Sequence, residues 1–144
     1  MRAFLALSLV VMTISAACFS ATAQQTSPPR LIRPEQASTA AVQVEQQDYK
    51  FNVDRSRASA GTIDFVVRNG GHQDHEFVIV RVKNGRYGLP IGEIGAFAPG
   101  ETRAIRADLS SGEYALVCLM VSVEDNEPQS HMALGMRAML EVTG

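Results

Sequence analysis

The stretch GEYALVCLMVSVEDNEPQSHMALGM, Gly112 to Met136, carries a cysteine, a histidine and a closing Gly-Met pair within one short segment. Its opening, Gly112 to Cys118, reads as a strand that delivers the Cys118 thiol at its far end. Its close, His131 to Met136, leads into another apolar run. Residues 119–130 lie between, polar and acidic, with Glu124, Asp125 and Glu127. Thiolate, imidazole and thioether are donors that one soft metal ion can share. The fold therefore turns on whether the two ends of this stretch meet or the segment is an ordinary connection.

The surrounding sequence is strand-like. From Val42 the apolar residues recur at every second position, the period of a β-strand with one buried face. VQVEQQDYKFNV sets Val42 and Val44 on one face, then Tyr49, Phe51 and Val53. GTIDFVVRN contributes Ile63, Phe65 and Val67, and HEFVIVRV a β-branched run that ends in a turn at Asn84-Gly85. ETRAIRADL, GEYALVCLM and GMRAMLEV supply three more. Six to eight short strands with Gly/Pro turns and no long helix predict an all-β sandwich over residues 42–144. GLPIGEIGAFAPG, with four glycines, is expected to hold a short helix or a long crossing loop.

The N-terminal part has a different character. One basic residue, Arg2, precedes an apolar run from Ala3 to Ala17 and then Ala21-Thr22-Ala23. This is the pattern of a secretory signal peptide over residues 1–23, too short and too rich in small residues for a membrane span of ~20 residues. Lipoprotein processing at Cys18 ranks second, because Ser15 stands where a branched apolar residue is expected. Either route exports the protein, to the periplasm or beyond. Residues 24–41, rich in Pro, Gln and Ser, read as a flexible linker. Without Arg2 the chain keeps 12 basic residues against 15 acidic ones, which is no footprint for nucleic acid. Cleavage after Ala23 also leaves Cys118 as the single cysteine. In an oxidising compartment an unpaired thiol is protected by burial or by a metal.

Three segments then fall into one pattern. Asn69, Gly71, His75 and Phe77 form Asn-x-Gly-x-x-x-His-x-Phe; Gly112, Tyr114 and Cys118 form Gly-x-Tyr-x-x-x-Cys; His131, Gly135 and Met136 form His-x-x-x-Gly-Met. In this order and at these spacings the chain resembles the cupredoxins, blue-copper proteins built as Greek-key sandwiches. FAPGETRAI is similar to that family's Pro-Gly turn. The resemblance spans residues 42–142. It implies one copper ion held by His75, Cys118 and His131, with Met136 as a weak axial ligand. Such a set suits both Cu(I) and Cu(II), since sulfur favours the first and nitrogen the second.

Each residue also has a simpler reading. Taken alone, His75 reads first as a hydrogen-bonded core histidine, while Met136 also reads as packing and Cys118 as a small apolar residue. Met120 and Met132 are read as core or patch residues, His72 as solvent-exposed, and Glu124, Asp125 and Glu127 as a solvated loop tip. Two positions depart from the family. Its loops between Cys and the second His are much shorter, although growth from ~3 to ~12 residues adds only about 1 kcal/mol of closure entropy. Glu76 stands where many members have an Asn that ties the ligand loops together.

The expected function is a single-electron carrier, not an enzyme. A redox protein partner is expected to dock on an exposed edge of His131 ringed by Met132, Ala133 and Leu134, with the protein itself a monomer. Two alternatives belong to other classes. One is Cu(I) binding and delivery through Cys118, Met120, Met132, Met136 and Met139; the other is a metal-free sandwich that binds a protein partner. Zinc lacks a fourth strong donor here, and no motif makes Cys118 a hydrolytic nucleophile.

Overall fold

The structure, a computed structural model, describes residues 27–124 and 126–144. The leader expected over residues 1–23, including Cys18, lies outside them. Strands β1 (Arg30–Ile32), β8 (Thr102–Leu109), β5 (Gly61–Asn69), β2 (Val42–Gln47) and β3 (Lys50–Val53) form one sheet in that order. Strands β4 (Arg57–Ser59), β12 (Arg137–Thr143), β9 (Gly112–Val117), β6 (His75–Lys83) and β7 (Arg86–Phe97) form the second. A separate two-stranded ribbon, β10 (Val121–Glu124) with β11 (Glu127–Ser130), stands apart from both.

The two-residue period of a strand decides which side chains face the core. On β6, Phe77 and Ile79 join the main core, whereas Val78, Val80 and Val82 belong to a second apolar cluster with Ala115 and Val117 of β9. Phe65 and Phe77 come from opposite sheets and meet with ring centroids 5.5 Å apart. Burying each such side chain contributes about 2–3 kcal/mol. Tyr114 donates its hydroxyl hydrogen to the Ser110 carbonyl at 2.7 Å and pins the entry of β9.

Three readings are revised. The stretch from Val42 to Val53 is two strands, for β2 folds back on β3 around Asp48-Tyr49, with Gln47 opposite Lys50. The odd-even switch between Val44 and Tyr49 marks that turn. GLPIGEIGAFAPG is neither helix nor free loop up to Phe97, because it continues β7 along the edge of the second sheet. Register shifts in the β6–β7 pairing absorb its irregular residues, and Pro90 is tolerated because, among the described residues, β7 pairs with a strand on one side alone.

Residues 30–41, read as linker, are also structured. β1 pairs with β8, and Ala41 is buried. Asp64, on the outer side of β5, accepts from Ser38 N at 2.7 Å and from Arg106 Nε at 2.6 Å, while Arg106 Nη2 reaches the Gln36 carbonyl. An ion pair beneath the segment holds it down, a feature that composition does not reveal. The strands beyond the six to eight read from the sequence are short pieces such as β1, β4, β10 and β11. With three or four residues each, they barely complete two alternations.

Candidate metal centre

Antiparallel pairing brings the three motifs to one end of the sandwich. β6 begins at His75, and Val78 stands opposite Val117, so Cys118 leaves β9 beside the start of β6. Arg137 also stands opposite Val117, which places Met136 at the same end. The two-residue period does the rest: His75 shares its face with Phe77, Cys118 with Tyr114 and Leu116, and Met136 with Leu140. All of these faces point into the core, and His75, Cys118, His131 and Met136 are each exposed by 1% or less.

The donors converge. His75 Nδ1 lies 3.2 Å from His131 Nδ1, and His131 Nδ1 lies 3.5 Å from Cys118 Sγ. One donor atom from each of the three falls within 4.8 Å of the others. Metal–nitrogen bonds of about 2.0–2.1 Å and metal–sulfur bonds of about 2.3 Å separate neighbouring donors by about 3.3–3.8 Å. The cluster thus has the dimensions of a shared-ion site. Met136 is buried beside it and bonds through its backbone to both ligand segments: Cys118 N donates to Met136 O at 3.1 Å, and Met136 N to His131 O at 2.9 Å.

The long insertion proves compact. Val121 stands opposite Ser130 in the ribbon, and His131 N donates to Met120 O at 3.0 Å. Pairing joins the two ends of the insertion, so the path from Cys118 to His131 runs through Leu119, Met120, one cross-strand step and Ser130. Ser130 Oγ then accepts from Ala133 N and caps the helical turn His131–Leu134. Gly135 closes that turn at φ 131, where an added Cβ would stand 2.8 Å from the Tyr49 carbonyl.

Glu76 lacks the amide donor of the residue it replaces, yet it makes a tie of its own. Its Oε1 accepts from Leu119 N at 2.7 Å, joining the residues that follow His75 and Cys118. Asn69, also fully buried, organises the turn before His75: its Nδ2 donates to Gln73 O and Phe97 O, and its Oδ1 accepts from Gly71 N.

Burial pushes the Cys118 thiol above its ordinary value, against backbone hydrogen bonds from Glu76 and Met120. Burial also lowers His131, helped by the charge of His75, while Asp48 and Glu124 pull the other way. Without metal, the site therefore favours a neutral thiol beside a neutral His131. His131 Nε2 is buried and has no hydrogen-bond partner among the described residues.

The expected exposed edge of His131 is a correction, since the residue is 1% exposed. The Tyr49 ring stands edge-on to it, centroids 5.2 Å apart, and the Tyr49 hydroxyl bonds to Glu124 on the ribbon. Gln73 Nε2 reaches both of them, at 3.2 and 3.3 Å. Glu124 is thus exposed as expected but also part of a clasp. Met120 packs on the main core and Met132 on the second cluster, while Met139 is half exposed, so these thioethers do not gather. His72 is exposed, as read. Asp48 is the residue the sequence reading missed: it lies 2.8 Å from His75 Nε2 and 3.0 Å from His72 Nδ1. Its one sequence signal was its place at the break in the β2–β3 alternation.

A β-sandwich with two imidazoles and a thiol gathered at one end defines a metal-binding sandwich protein. A family model described as the cupredoxin-like domain matches residues 7–127, and the chain belongs to that family. The match includes His75 and Cys118 and ends before His131 and Met136. Among solved structures, the dithionite-reduced auracyanin of the photosynthetic bacterium Roseiflexus castenholzii aligns with TM-score 0.55 at 19% identity, covering 75% of this chain and 99% of that one. Auracyanin B aligns with TM-score 0.55 at 15% identity, over 81% and 99%. At these identities the likeness concerns the fold. No curated protein matches the chain. The family and the His–Cys–His donor set together support a single copper ion as cofactor.

Proposed function

We propose that the chain is an exported type 1 copper protein that carries single electrons. His75, Cys118 and His131 would hold the ion, with Met136 as the weak axial ligand. The observation that carries this reading is the convergence of three donors that are all but inaccessible to solvent. A bound copper ion supplies a one-electron couple, and donors of this kind serve both oxidation states with little rearrangement. A closed site favours outer-sphere transfer over substrate chemistry, since no small molecule reaches the ligands without opening the fold. The chain's own contribution is to exclude water, aim the two rings and keep the thiol between backbone N–H groups. Export rests on the leader sequence. The surface for a redox partner would be the helical turn from His131, where Ala133 and Leu134 are exposed.

Addition of Cu(II) to the mature protein should produce an intense thiolate-to-copper colour, and Cys118→Ala should abolish it. A wild-type protein that stays colourless and copper-free after reconstitution sinks the reading.

A further inference from the structure

The turn between β2 and β3 reaches the site from outside the three sequence motifs, and Asp48 is its contact. The two carboxylate oxygens take three donors. Oδ2 accepts from His72 N at 2.9 Å and faces His72 Nδ1 at 3.0 Å, while Oδ1 faces His75 Nε2 at 2.8 Å. An ionised carboxylate accepts and cannot donate, so the His75 proton in this contact sits on Nε2. That leaves Nδ1, the atom 3.2 Å from His131 Nδ1, aimed into the cluster with its lone pair.

A second observation shows how closely the surroundings fit this contact. A Cβ added to Gly71 would lie 2.3 Å from Asp48 Oδ1 and 2.9 Å from His75 Nε2, on top of the hydrogen bond itself. The turn closes over the Asp48–His75 pair because residue 71 has no side chain. Asn69 Oδ1, bonded to Gly71 N at 3.0 Å, holds it there.

We propose that Asp48 is the positioning residue of the metal centre, fixing the tautomer and direction of the His75 ring so that Nδ1 is its donor atom, with Gly71 and His72 holding the carboxylate in place. The proposal rests on the reading of His75 as a ligand. A ring so held loses neither rotational freedom nor a tautomeric rearrangement when it binds an ion, and a carboxylate behind an imidazole strengthens it as a donor.

The test uses the metal-free protein labelled with 15N-histidine. Long-range 1H–15N spectra near pH 8 should show His75 as the Nε2–H tautomer. Asp48→Leu, similar in size but unable to accept, should mix the tautomers and lower Cu(I) affinity, measured against a chromophoric chelator, by roughly 10–100-fold. Asp48→Asn keeps one acceptor oxygen and should recover part of both. Gly71→Ala, which crowds the same hydrogen bond, should move both readouts in the direction of Asp48→Leu and serves if the latter does not fold. A wild-type His75 with its proton on Nδ1 overturns the proposal, as does Asp48→Leu with unchanged tautomer and affinity. The tautomer is read without metal, so failure of the copper reading and failure of this proposal give different results.

Discussion

Leu119 N donates to Glu76 Oε1 at 2.7 Å, so the residue after the first histidine is fastened to the residue after the cysteine. The carboxylate also raises the Cys118 thiol through its charge. Glu76→Gln should keep the hydrogen bond and lose the charge. With one negative charge fewer near the sulfur, the oxidised, more positive state is stabilised less, so voltammetry of the copper-loaded variant should show a higher reduction potential. Glu76→Ala should raise it too, and should also lower stability by about 1 kcal/mol in denaturant titrations, because the tie itself is gone.

Tyr49 links the metal site to the ribbon through Glu124 and Gln73. Tyr49→Phe keeps the ring beside His131 and removes the hydroxyl. Hydrogen exchange should quicken at the ribbon amides of Val121–Glu124 and stay unchanged in β6 and β9. Faster exchange throughout both sheets would mean that the hydroxyl supports the fold instead.

Copper uptake should depend on pH with a defined sign. The buried Cys118 thiol, raised above 9.0, is protonated at neutral pH and must release its proton on binding. His131, lowered below 6.5, adds no proton of its own above that value. Cu(I) affinity should therefore rise as pH rises from 7 to 8, by about tenfold per unit for the thiol proton. Chelator competition across that range measures it, and a flat profile would mean that the thiol is not displaced.

Acid should unfasten the protein at Asp64. The Arg106 guanidinium holds its carboxyl below the ordinary 3.8, against the effect of burial. A depressed folded-state value contributes stability that is present above 3.8 and lost as pH falls through the folded value. Asp48 follows the same sign: burial raises it, but hydrogen bonds from the His72 backbone and from the His75 and His72 side chains outweigh that and bring it to about 2. Its contribution is lost between 3.8 and about 2. The urea midpoint should fall across this window, and Asp64→Asn, already weakened at pH 6, should show a shallower fall.

The legible part of the molecule was the part written in short-range pattern. Val42, Val44, Ile63, Phe65 and Val67 declared a shared inward face by alternation, whereas Phe77–Val80 and Tyr114–Cys118 are continuous apolar runs, so the faces of His75 and Cys118 were settled by the pairing of the strands. What stayed hidden depends on contacts between distant segments. Asp48 lies 27 positions from His75, and no local pattern marks an acidic turn residue as the partner of a ring. The burial of His131 depends on Tyr49, from a turn 82 positions earlier. The ribbon was obscured for another reason: four-residue strands that include Glu124, Glu127 and Pro128 carry little strand propensity, and their pairing and the contacts of Glu124 with Tyr49 and Gln73 hold them.

That pairing has a consequence for how such a protein can diversify. Because Val121 and Ser130 face each other at the ribbon's base, the segment beyond them joins the site through this pairing and through the Glu124 contacts with Tyr49 and Gln73. Replacing residues 122–129 by a tight two-residue hairpin turn should change the molecular surface and release Tyr49 from Glu124, while the His131 N–Met120 O bond at the root should keep the Cys118 and His131 backbones together. Val123, 72% exposed on one arm, belongs to this interchangeable portion. Spacing along the chain is then a poor guide to whether two donors can share an ion; whether the intervening chain zips shut at its root is the better one.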